Sequence, residues 1–119
     1  MKIAATAAKG DVDGPVDPRF GRAACFVVLD TETGTHEVHD NQQNLNAPQG
    51  AGIQAAQAVA RLGVEVLLTG HVGPKAFSTL QAAGITVHSG VSGTVREAFE
   101  QCKNNKLQPT DTADVDGHW

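Results

Sequence analysis

Tyrosine is absent from the chain, aromatic residues make up only 4%, and cysteine occurs twice in 119 residues. With so few rings the core must be assembled from Ala, Val, Ile and Leu, and small alanine faces let helices sit close on a sheet. Cys25 and Cys102 are too far apart and too few to form a disulfide framework or a CxxC metal site. Excess positive charge is also missing. The net charge of −4 argues against broad nucleic-acid binding, which needs a basic face to displace counterions. No apolar run approaches the roughly 20 residues that span a bilayer, and Met1-Lys2-Ile3 leads straight into a strand pattern with no signal-peptide segment. The expectation is a cytoplasmic protein with no nucleic-acid or membrane partner.

What is present is enough for one domain. Residues 2–8 place Ile3, Ala5 and Ala7 on one face, reading as a central strand. Residues 10–22 carry glycines, prolines and aspartates that no strand tolerates, so they form a long loop. An apolar strand over 23–30, a turn at Thr31-Glu32-Thr33-Gly34 and a strand over 35–39 with Val38 inward predict an antiparallel hairpin. A helix over 50–62 follows, packing through Ile53, Ala56 and Val59. Residues 63–90 then read as a complete βαβ unit: strand 64–69, the loop Gly70-His71-Val72-Gly73, a helix opened by Pro74 and stopped at Gly84, and strand 85–88. Thr94 and Glu97 have capping-box spacing ahead of a third helix through Val95, Ala98, Phe99 and Cys102. The order β-β-β-α-β-α-β-α predicts an α/β domain over 1–107, a mixed sheet of about five strands flanked by helices. A polar, acidic, frayed tail is expected over 108–119.

Three stretches carry the chemistry. Gly70 to Gly73 lets backbone approach a ligand at the carboxyl end of a strand, and Lys75 sits in the first turn of the next helix, the unfavourable end for a cation unless an anion is near. Arg19-Phe20-Gly21-Arg22 reads either as a bidentate anion clamp covered by the Phe20 ring or as surface arginines balancing Asp11, Asp13 and Asp17. Gly50-Ala51-Gly52 has the letters of a dinucleotide fingerprint but follows an Asn-rich loop rather than a strand. The other readings are a helix beginning close to the sheet, or one aiming its positive end at a ligand. Cys25 reads first as a buried inert thiol, with a soft-ligand role kept open by its closeness to the loop. Of the five histidines only His71 lies beside a ligand loop, and His36 and His39 point to opposite faces of a strand. No Ser-His-Asp or Cys-His nucleophile signature occurs.

With Arg19-Phe20-Gly21-Arg22-Ala23, Gly50-Ala51-Gly52, Gly63-Val64, Gly73-Pro74-Lys75-Ala76 and Ala83-Gly84-Ile85 in this order, the chain resembles the dinitrogenase iron-molybdenum cofactor biosynthesis family, which includes NifX, NafY and the carboxyl-terminal domain of NifB. The resemblance implies a ribonuclease-H-like three-layer α/β fold and a protein that binds or carries a metal-sulfur cluster without catalysis. The short length is similar to that of the family's stand-alone, orange-protein-type members. For these the implied cargo is a noncovalently held molybdenum-copper sulfide cluster, compatible with isolation as apo protein, and the implied partners are cluster donors or acceptors. Thiometallates are anions, which suits the residues already singled out. The expected pocket is Arg19, Phe20, Gly21 and Arg22 on one wall, Gly70, His71, Val72, Gly73, Pro74 and Lys75 on another, and Gly50 and Gly52 on a third, with Cys25 or His71 as the candidates for direct contact with metal. A nucleotide- or phosphate-binding enzyme or sensor using the same helix starts, and a module that docks metalloenzymes, are the alternatives.

Overall fold

The computed structural model describes residues 1–41 and 51–110, so Gly50 and residues 111–119 lie outside the described residues. Among the described residues eight elements follow the expected order: β1 (Lys2–Ala7), β2 (Cys25–Asp30), β3 (His36–Asp40), α1 (Ala51–Arg61), β4 (Val66–Leu68), α2 (Pro74–Ala82), β5 (Thr86–His88) and α3 (Val95–Lys103). They build one sheet in the order β3-β2-β1-β4-β5. β1 is central, antiparallel to β2 and parallel to β4, and β4 is parallel to β5. Among the described residues no helix is long and apolar enough to cross a membrane.

The alternation along β1 divides the core into two layers of packing. Ala4, Phe26, Val28 and Leu67 face α1 and α2, with Ala55, Ala56, Val59, Phe77 and Leu80 above them. Ile3, Ala5, Val27 and Leu68 face the other way, onto Val95, Ala98 and Phe99 of α3. Helices on both faces are what an aromatic-poor strand set requires, since β1 is apolar on both sides. α2 ends as its sequence demands: Gly84 takes φ 77°, Ile85 N–H donates to Leu80 O at 3.0 Å and Gly84 N–H donates to Gln81 O at 2.9 Å. Those two bonds form a Schellman stop with buried Ile85 and Leu80 closing over it.

Two expectations are corrected. Val38 was expected inward but is 47% exposed, because β3 is the edge strand and α3 reaches only the middle of the sheet. The start of the expected frayed tail is held: Thr110 N–H donates to Val87 O at 2.7 Å, and Ser89 N–H donates to Thr110 Oγ1 at 2.8 Å. Residues 108–110 therefore run along the β5 edge.

The long loop after β1 returns across the sheet end and lands on the β4–α2 loop. Gly70 is where they touch. A Cβ there would lie 2.5 Å from Pro18 Cα and 2.6 Å from Pro18 O, so only glycine admits the crossing. Gly70→Ala is expected to destabilise the fold by about 1–3 kcal/mol, the usual cost of overpacking against backbone, and to raise hydrogen exchange at the His71 and Phe20 amides. A wild-type melting temperature would show that the crossing is not tight.

The start of α3 yields a second prediction. Glu97 N–H donates to Thr94 Oγ1 at 3.1 Å while Thr94 N–H donates to the Glu97 carboxylate at 3.0 Å, and the Thr94 backbone N–H first, then its hydroxyl, hold the Glu97 carboxyl below its ordinary value of 4.5. Thr94→Ala is expected to cost about 1 kcal/mol, roughly 3–6 °C in melting temperature at neutral pH. A carboxylate whose pKa is lowered by folding stabilises above its unfolded pKa and loses that contribution as pH falls through the folded value. Thr94→Ala keeps the backbone N–H and removes only the hydroxyl's share of this contribution, so the wild-type advantage should shrink in part, not vanish, in melts taken below about pH 4.5.

Candidate functional site

The carboxyl ends of β1 and β4 share one end of the sheet, the position at which open α/β sheets bind ligands. Two of the three expected walls meet there. Arg19 pairs with His71 as a parallel bridge, His71 N–H donates to Pro18 O at 2.7 Å, and Phe20 N–H donates to His71 O at 3.2 Å. The segments 18–20 and 70–72 are thus one hydrogen-bonded unit rather than two independent loops.

A buried polar bracket supports this unit from below. Thr6 Oγ1 lies 2.7 Å from Asp17 O and 2.9 Å from Thr69 Oγ1, and Asp17 N–H donates to Thr6 O at 2.9 Å. Thr6 and Thr69 are fully buried and Asp17 nearly so. The Asp17 carboxylate accepts from Arg19 N–H at 2.9 Å and lies 3.8 Å from Arg19 Nε. Its role is to fix the backbone that presents Arg19, whose guanidinium remains half exposed. Nothing in the spacing of Thr6, Asp17 and Thr69 marks them in the sequence. The one available signal is a pair of threonines, each near the carboxyl end of an apolar strand.

The expected site residues divide into those that present groups and those that anchor them. Lys75 is exposed in the first turn of α2, and Arg22 is half-buried just beyond the crossing. Phe20 does not cover a ligand: its ring is fully buried, tilted against Phe26 with centroids 6.0 Å apart. Val72 is likewise fully buried in the same cluster. Both act as pegs that seat the two loops on the α1–α2 side. Gly21, Gly70 and Gly73 are buried backbone, and Gly52 is buried in the first turn of α1.

Cys25 is not brought to this unit. It belongs to the opposite core layer, beneath α3, where its Sγ contacts Ala7 O at 3.6 Å, and burial, then the Asp40 and Asp17 charges, push its thiol up. The buried, inert reading of this cysteine is the one the packing supports. Of the three acids offered as balance for the arginines, Asp13 instead binds Arg96, 2.9 Å from its Nε, and is held below the usual carboxylate range by that hydrogen bond and charge. Among the described residues no group of three or more His, Cys, Asp or Glu is placed to hold a metal ion.

The helix starts at this end differ in how their orphan amides are satisfied. In α3, Val95 N–H donates to Gly14 O, Arg96 N–H to Val12 O and Glu97 N–H to Thr94 Oγ1, so the start is closed. In α2, Gly73 is the N-cap with no side-chain hydrogen bond, Pro74 follows, and the first turn has no acid. Pro74 lacks an N–H, and the amides of Lys75 and Ala76 have no carbonyl one turn back to bond.

This arrangement has close counterparts. The chain is 48% identical to the apo form of the orange protein from Desulfovibrio gigas, with a TM-score of 0.94 and 96% of each chain covered. It is 34% identical to a putative NifB protein from Thermotoga, with a TM-score of 0.81 over 96% of this chain and 98% of that one. An uncharacterized protein of Methanocaldococcus jannaschii is 28% identical over 96 residues, 78% of this chain and 80% of that protein. The sequence pattern of the family described as dinitrogenase iron-molybdenum cofactor matches residues 1–105, and the chain belongs to that family.

Proposed function

We propose that the protein binds and carries an anionic metal-sulfur cluster, held at the junction of segments 18–22 and 70–75 without catalysis. The observation that carries this reading is the bridge between Arg19 and His71. It joins a cation-bearing strip to a loop that ends in an uncapped helix start bearing Lys75. Family membership and the orange-protein likeness support a metal cluster or cofactor as cargo. The donor set fits a cluster that keeps its own sulfide ligands. No ligating group of side chains is available among the described residues, whereas guanidinium, ammonium and backbone N–H all complement an oxo- or sulfido-anion.

The finer reading is a molybdenum-copper sulfide cluster exchanged with donor or acceptor proteins in the cytoplasm. Its support is the high identity to the orange protein across nearly the whole chain. In this reading Arg19, Arg22 and Lys75 neutralise the cargo, His71 makes the distinguishing side-chain contact, Gly73 lets backbone approach it, and Gly70 serves the site by admitting the Pro18 crossing. Gly52 belongs to the neighbouring α1 start, and Gly50, outside the described residues, is carried as part of the same wall. The ribonuclease-H-like description belongs to this reading too, supported by the sheet order with an antiparallel second strand and helices on both faces.

Apo protein mixed with thiomolybdate and copper is expected to acquire a visible absorption band with stoichiometric bound metal. Arg22→Ala and Lys75→Ala should each weaken loading roughly 10- to 100-fold, the loss that follows from removing a charge-assisted contact of about 1.5–3 kcal/mol. Colourless protein, or unchanged loading in both variants, would overturn the proposal. The competing nucleotide- or phosphate-binding reading uses the same helix start. It predicts that a selective nucleotide raises the melting temperature of the apo protein, while cluster carriage predicts no such rise.

A further inference from the structure

Two aspartates of the first long loop are paired with arginines in opposite ways. Asp13 and Arg96 are both well exposed yet close fully, Arg96 Nε–H donating to Asp13 Oδ1 at 2.9 Å. Asp17 and Arg19 stay open. Arg19 Nε stands 3.8 Å from Asp17 Oδ1, beyond hydrogen-bond range, and that oxygen is already taken by the Arg19 backbone N–H at 2.9 Å. Among the described residues the Arg19 guanidinium donates no hydrogen bond and has no other carboxylate within ion-pair distance.

The two partners differ in how firmly they are held. The Asp17 side chain is 8% exposed, against 50% for Arg19. Its backbone is bonded to β1 through both polar groups: Asp17 N–H donates to Thr6 O at 2.9 Å, and Thr6 Oγ1 donates to Asp17 O at 2.7 Å. Thr6 is itself fully buried. Asp17 is therefore a fixed negative charge beneath the surface, two residues from a cation whose donors face outward and are not committed.

A buried carboxylate is costly to leave without a counter-cation, so anything that draws the Arg19 guanidinium outward also leaves Asp17 less compensated. An anionic cargo does this. It gains the arginine only by taking it from the aspartate, and on release the arginine has a partner to return to. Lys75 is not shared in this way, since the first turn of α2 holds no acid. The two cations therefore contribute to loading on different terms, one freely and one in competition with the chain's own anion.

We propose that Asp17 is an affinity-setting residue, an internal counter-anion that competes with the cargo for Arg19 and keeps loading weak enough to reverse. This rests on the reading of the site as an anion carrier. Asp17 acts through Arg19 and not as a contact of its own. Its two contributions are separable: the bond to Arg19 N–H needs only an acceptor oxygen, whereas the competition needs the charge. Asparagine at this position keeps the oxygen and removes the charge.

Titration of the apo protein with thiomolybdate plus copper, followed by visible absorption, tests this. Asp17→Asn should load roughly 3- to 10-fold more tightly than wild type, the opposite sign to the loss that a purely structural aspartate predicts. Asp17→Ser, whose hydroxyl also accepts a turn bond, is a second neutral variant with the same expected sign. The gain should persist in a Lys75→Ala background and disappear in an Arg19→Ala background, because only the arginine is shared. Glu32→Gln makes the same change in net charge beside Met1, at the opposite end of the sheet, and should load as wild type does. No gain in either neutral variant, a gain as large without Arg19 as with it, or an equal gain in Glu32→Gln would each overturn the proposal. A wild type that takes up no cluster sinks the anion-carrier reading and this proposal together, whereas a wild type that loads while neither neutral variant gains sinks the proposal alone.

Discussion

The contact of Pro18 on Gly70 is the constraint on which the rest of this molecule turns. It brings a loop that leaves β1 back across the sheet end and presses it against the loop that leaves β4, with no room for a side chain between. Once the backbones touch, the bonds of His71 to Pro18 and of Phe20 to His71 follow, and Phe20 and Val72 drop into the α1–α2 core as neighbouring pegs. Arg19, far from the β4–α2 loop in sequence, is thereby bridged to His71 beside the helix start that carries Lys75. Without that contact Arg19 and Lys75 would be ordinary charges on separate loops, where a solvated charge contributes little.

Much of the architecture was legible because local signals and burial patterns agreed. The alternation of Ile3, Ala5 and Ala7 marked a strand covered on both sides, Gly84 marked the stop of α2, and Thr94 with Glu97 marked the start of α3. These signals act over a few residues. What escaped was set by contacts far apart in sequence. Val38 alternates correctly for burial, but its strand lies at an edge that no described helix covers. Phe20, flanked by arginines, reads equally well as a lid or as an anchor, and only the presence of Phe26 beneath it decides between them. Thr6, Asp17 and Thr69 form their bracket across 11 and 63 residues of separation, and such a bracket has no local signature.

Sidedness decides what the end of the sheet can do. β2 starts at Cys25 directly beside the site end, yet strand alternation turns its sulfur under α3, while Phe20 and Val72 seat the cationic loops on the other face. A thiol raised by burial and by two nearby carboxylates is a poor thiolate donor. Among the described residues the surface on the α1–α2 side is thus equipped with charge and N–H dipoles rather than with a set of three or more ligating side chains. Charge and dipole of this kind complement an anion electrostatically, without coordination bonds.

The contrast between the starts of α2 and α3 carries the same logic further. Both helices begin at one end of one sheet and both expose the positive end of a dipole there. α3 spends its first amides on Gly14 O, Val12 O and Thr94 Oγ1, adding the Glu97 carboxylate, so its field is neutralised by groups of the chain itself. α2 instead places a proline, a lysine and two small residues around an uncapped start. A fold seeking only stability gains from an acid or a capping hydroxyl at Gly73, worth about 1 kcal/mol. Glycine there, with lysine in the first turn, gives up that gain and leaves positive potential uncompensated beside Arg19 and His71, the combination that an external anion relieves.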